Sequence, residues 1–221
     1  MTAAPPDGQP GPVSGPAALL LRPAGRAACL IEAPAELAAS LAEHLRAARL
    51  PGVVDVVPGA RTVLLDGSSL DRLLPALRPI LQSWQRPTPG PVAAAETVEI
   101  PVIYDGPDLA EVAREAGLDV PTVIDLHTRT PMRVAFCGFA PGFAYIDELP
   151  PPLRMPRLPN PRTEVPAGSV AIAEQYTGVY PQPSPGGWRL LGRTTAELWN
   201  LERPQPSLLR PGLHVRFTAV R

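Results

Sequence analysis

Residues 133–145 read Arg133-Val-Ala-Phe-Cys-Gly-Phe-Ala-Pro-Gly-Phe-Ala-Tyr145. A short apolar run, Val134–Phe136, enters a turn built on Gly138, Pro141 and Gly142 and leaves it through further aromatic residues. The same texture continues to the C-terminus. Val170–Ala173, Arg189–Leu191 and His214–Ala219 are short strand-like runs set between glycine- and proline-rich turns. Many short strands with this punctuation predict a β-barrel or sandwich, because glycine and proline supply the tight reversals that closed sheets need.

Working upstream, the pattern changes to mixed elements. Thr97–Ile103 alternates as a strand does. Pro107–Ala116 reads as a helix with proline in its first turn, Leu109, Val112, Ala113 and Ala116 on one face, and Gly117 as its stop. A second short helix runs from Pro121 to about His127. Residues 86–95 are rich in proline and alanine and read as a linker.

Before the linker, residues 17–33 form a strand–turn–strand signal around Pro23-Ala-Gly25. Leu37, Leu41 and Leu45 mark one helix face within residues 36–49. Val53–Val57 and Thr62–Leu65 are two more strands. Leu70, Leu73, Leu74, Leu77, Ile80, Leu81 and Trp84 have helical spacing, with Pro75 and Pro79 predicted to kink or split the helix. Residues 1–16 hold five prolines and almost no large apolar side chains, so a disordered tail is expected. The fold class is therefore α+β: a small α/β domain over 17–85 and a β-barrel domain over 96–221.

Composition limits the function. The formal net charge is −1, from 20 basic and 21 acidic residues, which argues against a nucleic-acid partner. Every one of those basic residues is arginine, so Schiff-base chemistry and a phosphate-loop lysine are excluded. Nothing resembles a membrane span or an export signal, and a cytoplasmic protein with reduced thiols at Cys29 and Cys137 is expected. His44, His127 and His214 fall in three different elements, so no metal site is expected.

No familiar catalytic signature is present, but four segments stand out. Phe139, Pro141, Gly142, Phe143 and Tyr145 make an aromatic-walled turn. Met155-Pro-Arg157 and Pro161-Arg162 hold arginines beside rigid prolines, which suits either an anion grip or a solvated pair. Gly168 and Ser169 close Val165-Pro-Ala-Gly-Ser169. Thr177 and Tyr180 lead into Ser184-Pro-Gly186-Gly187-Trp188, where paired glycines let backbone amides approach a ligand.

Taken in order from Phe136 to Thr194, these segments closely resemble the family of the small subunit of bacterial 5-oxoprolinase. The family is also known as allophanate hydrolase subunit 1 or the Kip-type kinase inhibitors, and it corresponds to carboxyltransferase domain, subdomain C and D. The resemblance implies a ferredoxin-like N-terminal domain and a cyclophilin-like barrel. It implies a hydrolase component that opens a cyclic amide such as 5-oxoproline with ATP, works in a hetero-oligomer and is inactive alone. ATP with Mg would be bound here or by a partner. The implied partners are a carboxyltransferase-like subunit, a third subunit and a small-molecule amide, with no nucleic acid and no membrane. One branch of the family instead regulates a sensor histidine kinase. On this pattern His127, Arg162 and Arg193 are the expected catalytic residues, although His127 also fits a satisfied core histidine. Arg157, Gly168, Ser169, Thr177, Tyr180, Ser184, Gly186, Gly187, Trp188 and the aromatic turn would bind substrate or nucleotide. Three positions depart from the pattern: Glu174 for a small residue, Tyr176 for glutamine and Met132 for tyrosine.

Overall fold

The computed structural model describes residues 19–67, 69–84, 96–129 and 131–220. The expected tail over 1–16 and the linker over 86–95 lie outside these residues. The chain divides into two compact units, Met1–Val92 and Ala93–Arg221.

In the first unit, β1 (Leu20–Ala24) and β2 (Ala28–Glu32) form a hairpin, followed by α1 (Ala35–Ala47), β3 (Val53–Pro58), β4 (Thr62–Gly67) and α2 (Leu70–Ser83). The sheet order is β1-β2-β4-β3, and every pairing is antiparallel. β2 and β3 therefore run parallel with β4 between them and α1 connecting them, the split β–α–β arrangement of ferredoxin-like units. The extra hairpin strand, β1, comes first in the chain. Strand alternation buries Leu21, Cys29, Ile31, Val63 and Leu65 against Leu37, Leu41 and Leu45 of α1 and Leu73, Leu77 and Leu81 of α2.

Of the expected kink or split, the split does not occur: α2 is a single helix with Pro75 and Pro79 inside it. Each proline removes one amide donor, but burial of Leu73, Leu77, Leu81 and the capping Trp84 holds the helix together.

The second unit opens with β5 (Thr97–Val102), α3 (Leu109–Ala116) and α4 (Val120–Thr128). Pro107 stands just before the Asp108 cap rather than in the first turn of α3. Gly117 ends that helix in the left-handed region, φ +67, and the Leu118 N–H donates back to Ala113 O at 2.9 Å. Asp119 caps α4 by accepting from the Thr122 amide at 2.8 Å.

The strands that follow are β6 (Met132–Cys137), β7 (Ala144–Asp147), β8 (Arg162–Val165), β9 (Ser169–Ala173), β10 (Tyr176–Val179), β11 (Ser184–Gly186), β12 (Arg189–Arg193) and β13 (His214–Ala219). Seven of the unit's strands form one sheet in the order β12-β9-β10-β7-β6-β13-β5, and β8 pairs with β11 as a separate ribbon. The two ends of the large sheet meet where Ile103, just past β5, pairs with Arg193 at the end of β12. This makes a nearly closed barrel. Alternation sends Val170, Ile172, Ile146, Leu191, Val215 and Phe217 into its core. The intervening Ala171, Ala173, Tyr176 and Leu190 join a second cluster with Phe143, Tyr180 and Trp188.

Candidate functional site

The barrel seam organises the site. Ile103 and Arg193 exchange two backbone hydrogen bonds of 2.9 Å each. Gly192 makes this approach possible, since a Cβ there would lie 2.2 Å from Ile103 O. Past the seam the chain hugs β12: Gly106 N–H donates to Leu191 O at 3.0 Å and Asp108 N–H to Leu190 O at 3.2 Å.

Asp108 is the anchor of this region and is 5% exposed. One carboxylate oxygen accepts from Arg162 Nη2 at 2.6 Å, and the other accepts from the Leu190 amide at 2.7 Å. Its carbonyl accepts the Val112 N–H at 2.8 Å, opening α3. Arg162, at the start of β8, is thereby fixed in place. Arg193 behaves differently: its Nε donates to Asp105 at 2.8 Å, and both side chains are largely in solvent. Between β8 and β12 lies a cleft of about 430 Å³ lined by Asp105, Gly106, Arg162, Glu164, Ser169 and Arg193. The Ser169 hydroxyl donates to Pro166 O at 2.7 Å, so its proton is already committed.

His127 stands elsewhere. It is completely buried, stacked on Phe217 with ring centroids 4.4 Å apart. Its Nδ1 lies 2.7 Å from the Tyr104 hydroxyl and its Nε2 lies 2.9 Å from Thr177 Oγ1. Thr177 donates onward to Ala171 O at 3.0 Å. These contacts assign the proton to Nε2, with Tyr104 donating to Nδ1. Burial pushes the His127 pKa down to about 3 and raises that of the Tyr104 hydroxyl. Of the two readings open at the sequence level, this geometry is that of a satisfied core histidine. Neither nitrogen is open for proton transfer, and Thr177 serves the same internal chain.

The aromatic residues pack among themselves. Phe143 meets Tyr145, Tyr180 and Trp188 edge-on, with centroids 5.1–5.5 Å apart. Phe136 stacks on Tyr145 at 4.3 Å. Gly186 is required by this packing, because a Cβ there would fall 2.3 Å from the Tyr180 hydroxyl. Gly187 O accepts the Leu158 amide at 2.7 Å, and the Ser184 hydroxyl donates to Gln182 O at 3.1 Å. Burial raises the pKa of Tyr145, Tyr176 and Tyr180. Phe139 is the exposed member of this group: it meets Phe143 edge-on at 5.2 Å, on a backbone with φ +71, in the turn that continues through Pro141 to Gly142 at φ +85.

Arg157 forms an exposed pair with Glu174 at 3.6 Å. Glu174 has φ +55, which accounts for the small residue expected at this position. Tyr176 fills the glutamine position with a ring set edge-on to both Phe136 and Tyr145. Met132 is buried in the barrel core.

The structure therefore brings Arg162, Ser169 and Arg193 to one cleft, with Gly168 beside them at φ +78 against Thr194 O. It puts Phe143, Tyr145, Tyr180 and Trp188 in a packed aromatic cluster and His127 with Thr177 in the core. Sequence reasoning missed Asp105, Asp108 and Glu164. The first two had a legible signal, since Asp105-Gly-Pro-Asp108 directly precedes a helix, where aspartate caps.

A split β–α–β unit followed by a seven-stranded barrel is the architecture of a carboxyltransferase-type domain. Residues 19–209 match the carboxyltransferase domain, subdomain C and D, and the chain belongs to that family. Its relatives include the 5-oxoprolinase subunit designated B in Escherichia coli O157:H7, 42% identical over 171 residues, which are 76% of this chain and 78% of that protein. The crystal structure of TTHA0988 superposes with a TM-score of 0.72 at 39% identity, covering 88% of this chain and 40% of the longer TTHA0988 chain. The fold recurs at 19% identity in Kluyveromyces lactis urea carboxylase, with a TM-score of 0.70 over 92% of this chain and 22% of that one. Among the described residues, no helix is long and apolar enough to cross a membrane.

Proposed function

We propose that this chain, by family a component of a 5-oxoprolinase-type complex, supplies one part of the active site of a cytoplasmic, ATP-dependent hydrolase that opens 5-oxoproline to glutamate. The observation that carries this reading is the cleft at the seam. It presents one immobilised guanidinium, Arg162 on β8, and one exposed guanidinium, Arg193 on β12, from the two strands that border it. Opening a lactam adds water across an amide bond that resists attack at neutral pH, so the carbonyl must be activated and its developing charge held. Arginine forks serve the second need. The described residues of the cleft include no nucleophile paired with a base, which is the expected state of a site that another chain completes.

The missing groups are assigned to a carboxyltransferase-like partner and a third subunit in a hetero-oligomer, with Mg-ATP supplying the driving force. The subunit name carried by the curated relatives favours this reading over a regulator of a histidine kinase. The test is reconstitution. The purified chain alone should release no glutamate from 5-oxoproline and ATP, and addition of the partners should start ATP-dependent release. Turnover by the single chain would overturn the shared-site reading.

A further inference from the structure

We propose that the cleft between β8 and β12 takes the cyclic amide by its single carboxylate and excludes the nucleotide, which another chain of the complex must carry. This rests on reading the cleft as a substrate site, and it goes further by dividing the two substrates between chains.

Charge is the first argument. Arg162 is matched by Asp108 and Arg193 by Asp105, and Glu164 adds a carboxylate that has no ion pair among the described residues. Two guanidiniums thus face three carboxylates. Arginines nearby are also matched: Arg157 by Glu174, and the buried Arg189 by Glu115 at 3.0 Å and Glu111 at 3.9 Å. A triphosphate brings several negative charges into one place and needs an excess of cation around it. The chain offers no lysine to supply that excess.

The backbone gives the second argument. Phosphate cradles are made from amide N–H groups left free to point at the ligand. Around this cleft most of those groups are spent. Gly106 and Asp108 donate to β12, Gly168 to Tyr180 O, Ser169 to Pro166 O, Arg193 to Ile103 O and Thr194 to Gly168 O. The Leu190 amide is held by Asp108.

A small ligand with one carboxylate fits the same groups. The pair between Arg193 and Asp105 is exposed on both sides, and such pairs are weak enough to exchange. A ligand carboxylate can take the place of Asp105 on the Arg193 fork, while Glu164 or the released Asp105 accepts the lactam N–H. Arg162 cannot exchange in this way, because its partner is buried and doubly bonded. Arg193 is therefore the gripping residue and Arg162 the fixed wall.

The experiment uses the reconstituted complex. Arg193→Gln should raise the KM for 5-oxoproline roughly 10- to 100-fold, the scale of one charged hydrogen bond, and leave the KM for Mg-ATP unchanged. In parallel, the unaltered complex is photolabelled with azido-ATP and the labelled peptides are identified by mass spectrometry. The label should fall on another chain. A label on this chain, or a rise in the KM for ATP, overturns the division of substrates while leaving the cleft as a site. If Arg193→Gln changes neither KM nor turnover, the cleft is not the substrate site and both readings fall. The labelling arm uses the natural sequence, so it decides the matter even if the variant does not assemble.

Discussion

Arg162 and Asp108 meet at 2.6 Å, across 54 residues of sequence, with the aspartate almost completely buried. The same carboxylate holds the Leu190 amide, so one side chain ties α3, β8 and β12 together. Asp108→Ala should therefore cost about 3 kcal/mol, seen as a lower thermal midpoint, because it strands a guanidinium and a buried N–H together. Asp108→Asn should cost less. A midpoint unchanged in both variants would show that the tie carries no stability.

Arg162→Lys separates position from charge. Lysine keeps the charge but lacks the fork that spans Asp108 Oδ1 and the more distant Trp188 O at 3.4 Å. The variant should melt earlier, and turnover of the reconstituted complex should fall with it. Wild-type melting and turnover together would remove Arg162 from both roles.

Glu174 is held at φ +55 in the β9–β10 turn. Glu174→Gly should relieve that backbone and add roughly 1 kcal/mol of stability, since the exposed pair with Arg157 contributes little. Glu174→Ala loses the pair without the relief and should give no gain. Equal midpoints for the two variants would mean that the turn is not strained.

Gly192 and Gly117 offer a matched contrast. A Cβ at Gly192 collides with Ile103 O at 2.2 Å, so Gly192→Ala should open the seam and cost on the order of 3 kcal/mol or more. A Cβ at Gly117 meets nothing within 4 Å, and Gly117→Ala should cost only about 1 kcal/mol for its φ of +67. Denaturant midpoints measure both.

His127 gives a pH dependence of known sign. Its pKa is about 3 when folded and about 6.5 when unfolded, so below pH 6.5 the unfolded chain binds a proton that the folded chain refuses. Its contribution to stability is complete above pH 6.5 and should decline as the pH falls towards 3, by up to about 1.4 kcal/mol per pH unit. His127→Gln should flatten that part of the stability curve. An identical slope in both proteins would show that the ring is protonated in the fold.

The helices and most long strands were legible because their periodicities are local. Leu37, Leu41 and Leu45 announce α1, and the Asp108 and Gly117 ends of α3 are written in its flanks. The β8–β11 ribbon was hidden, since Ser184-Pro-Gly186 has no strand character of its own and is extended by pairing with Arg162–Val165. The unbroken α2 was hidden for a related reason: burial outweighs the two prolines, and burial is not local. In the site, the motif residues marked the right region, but their roles depended on partners far along the chain. Nothing near Arg162 names Asp108, and nothing near His127 names Tyr104 or Thr177.

The parallel pairing of β5 with β13, Thr97 opposite His214 through Val102 opposite Ala219, also has a bearing on how the protein is made. During synthesis the first unit has all its described strands by Gly67, and α2, which supplies Leu73, Leu77 and Leu81 to its core, ends at Ser83. β5 emerges soon afterwards, but its neighbours are β13 and, at the seam, Arg193, both of which are translated much later. Ile100 and Val102 thus wait for a sheet partner while every other strand of the barrel is being made. The barrel cannot close before β13 is translated, and until then the edge of β5 is unpaired and open to wrong association.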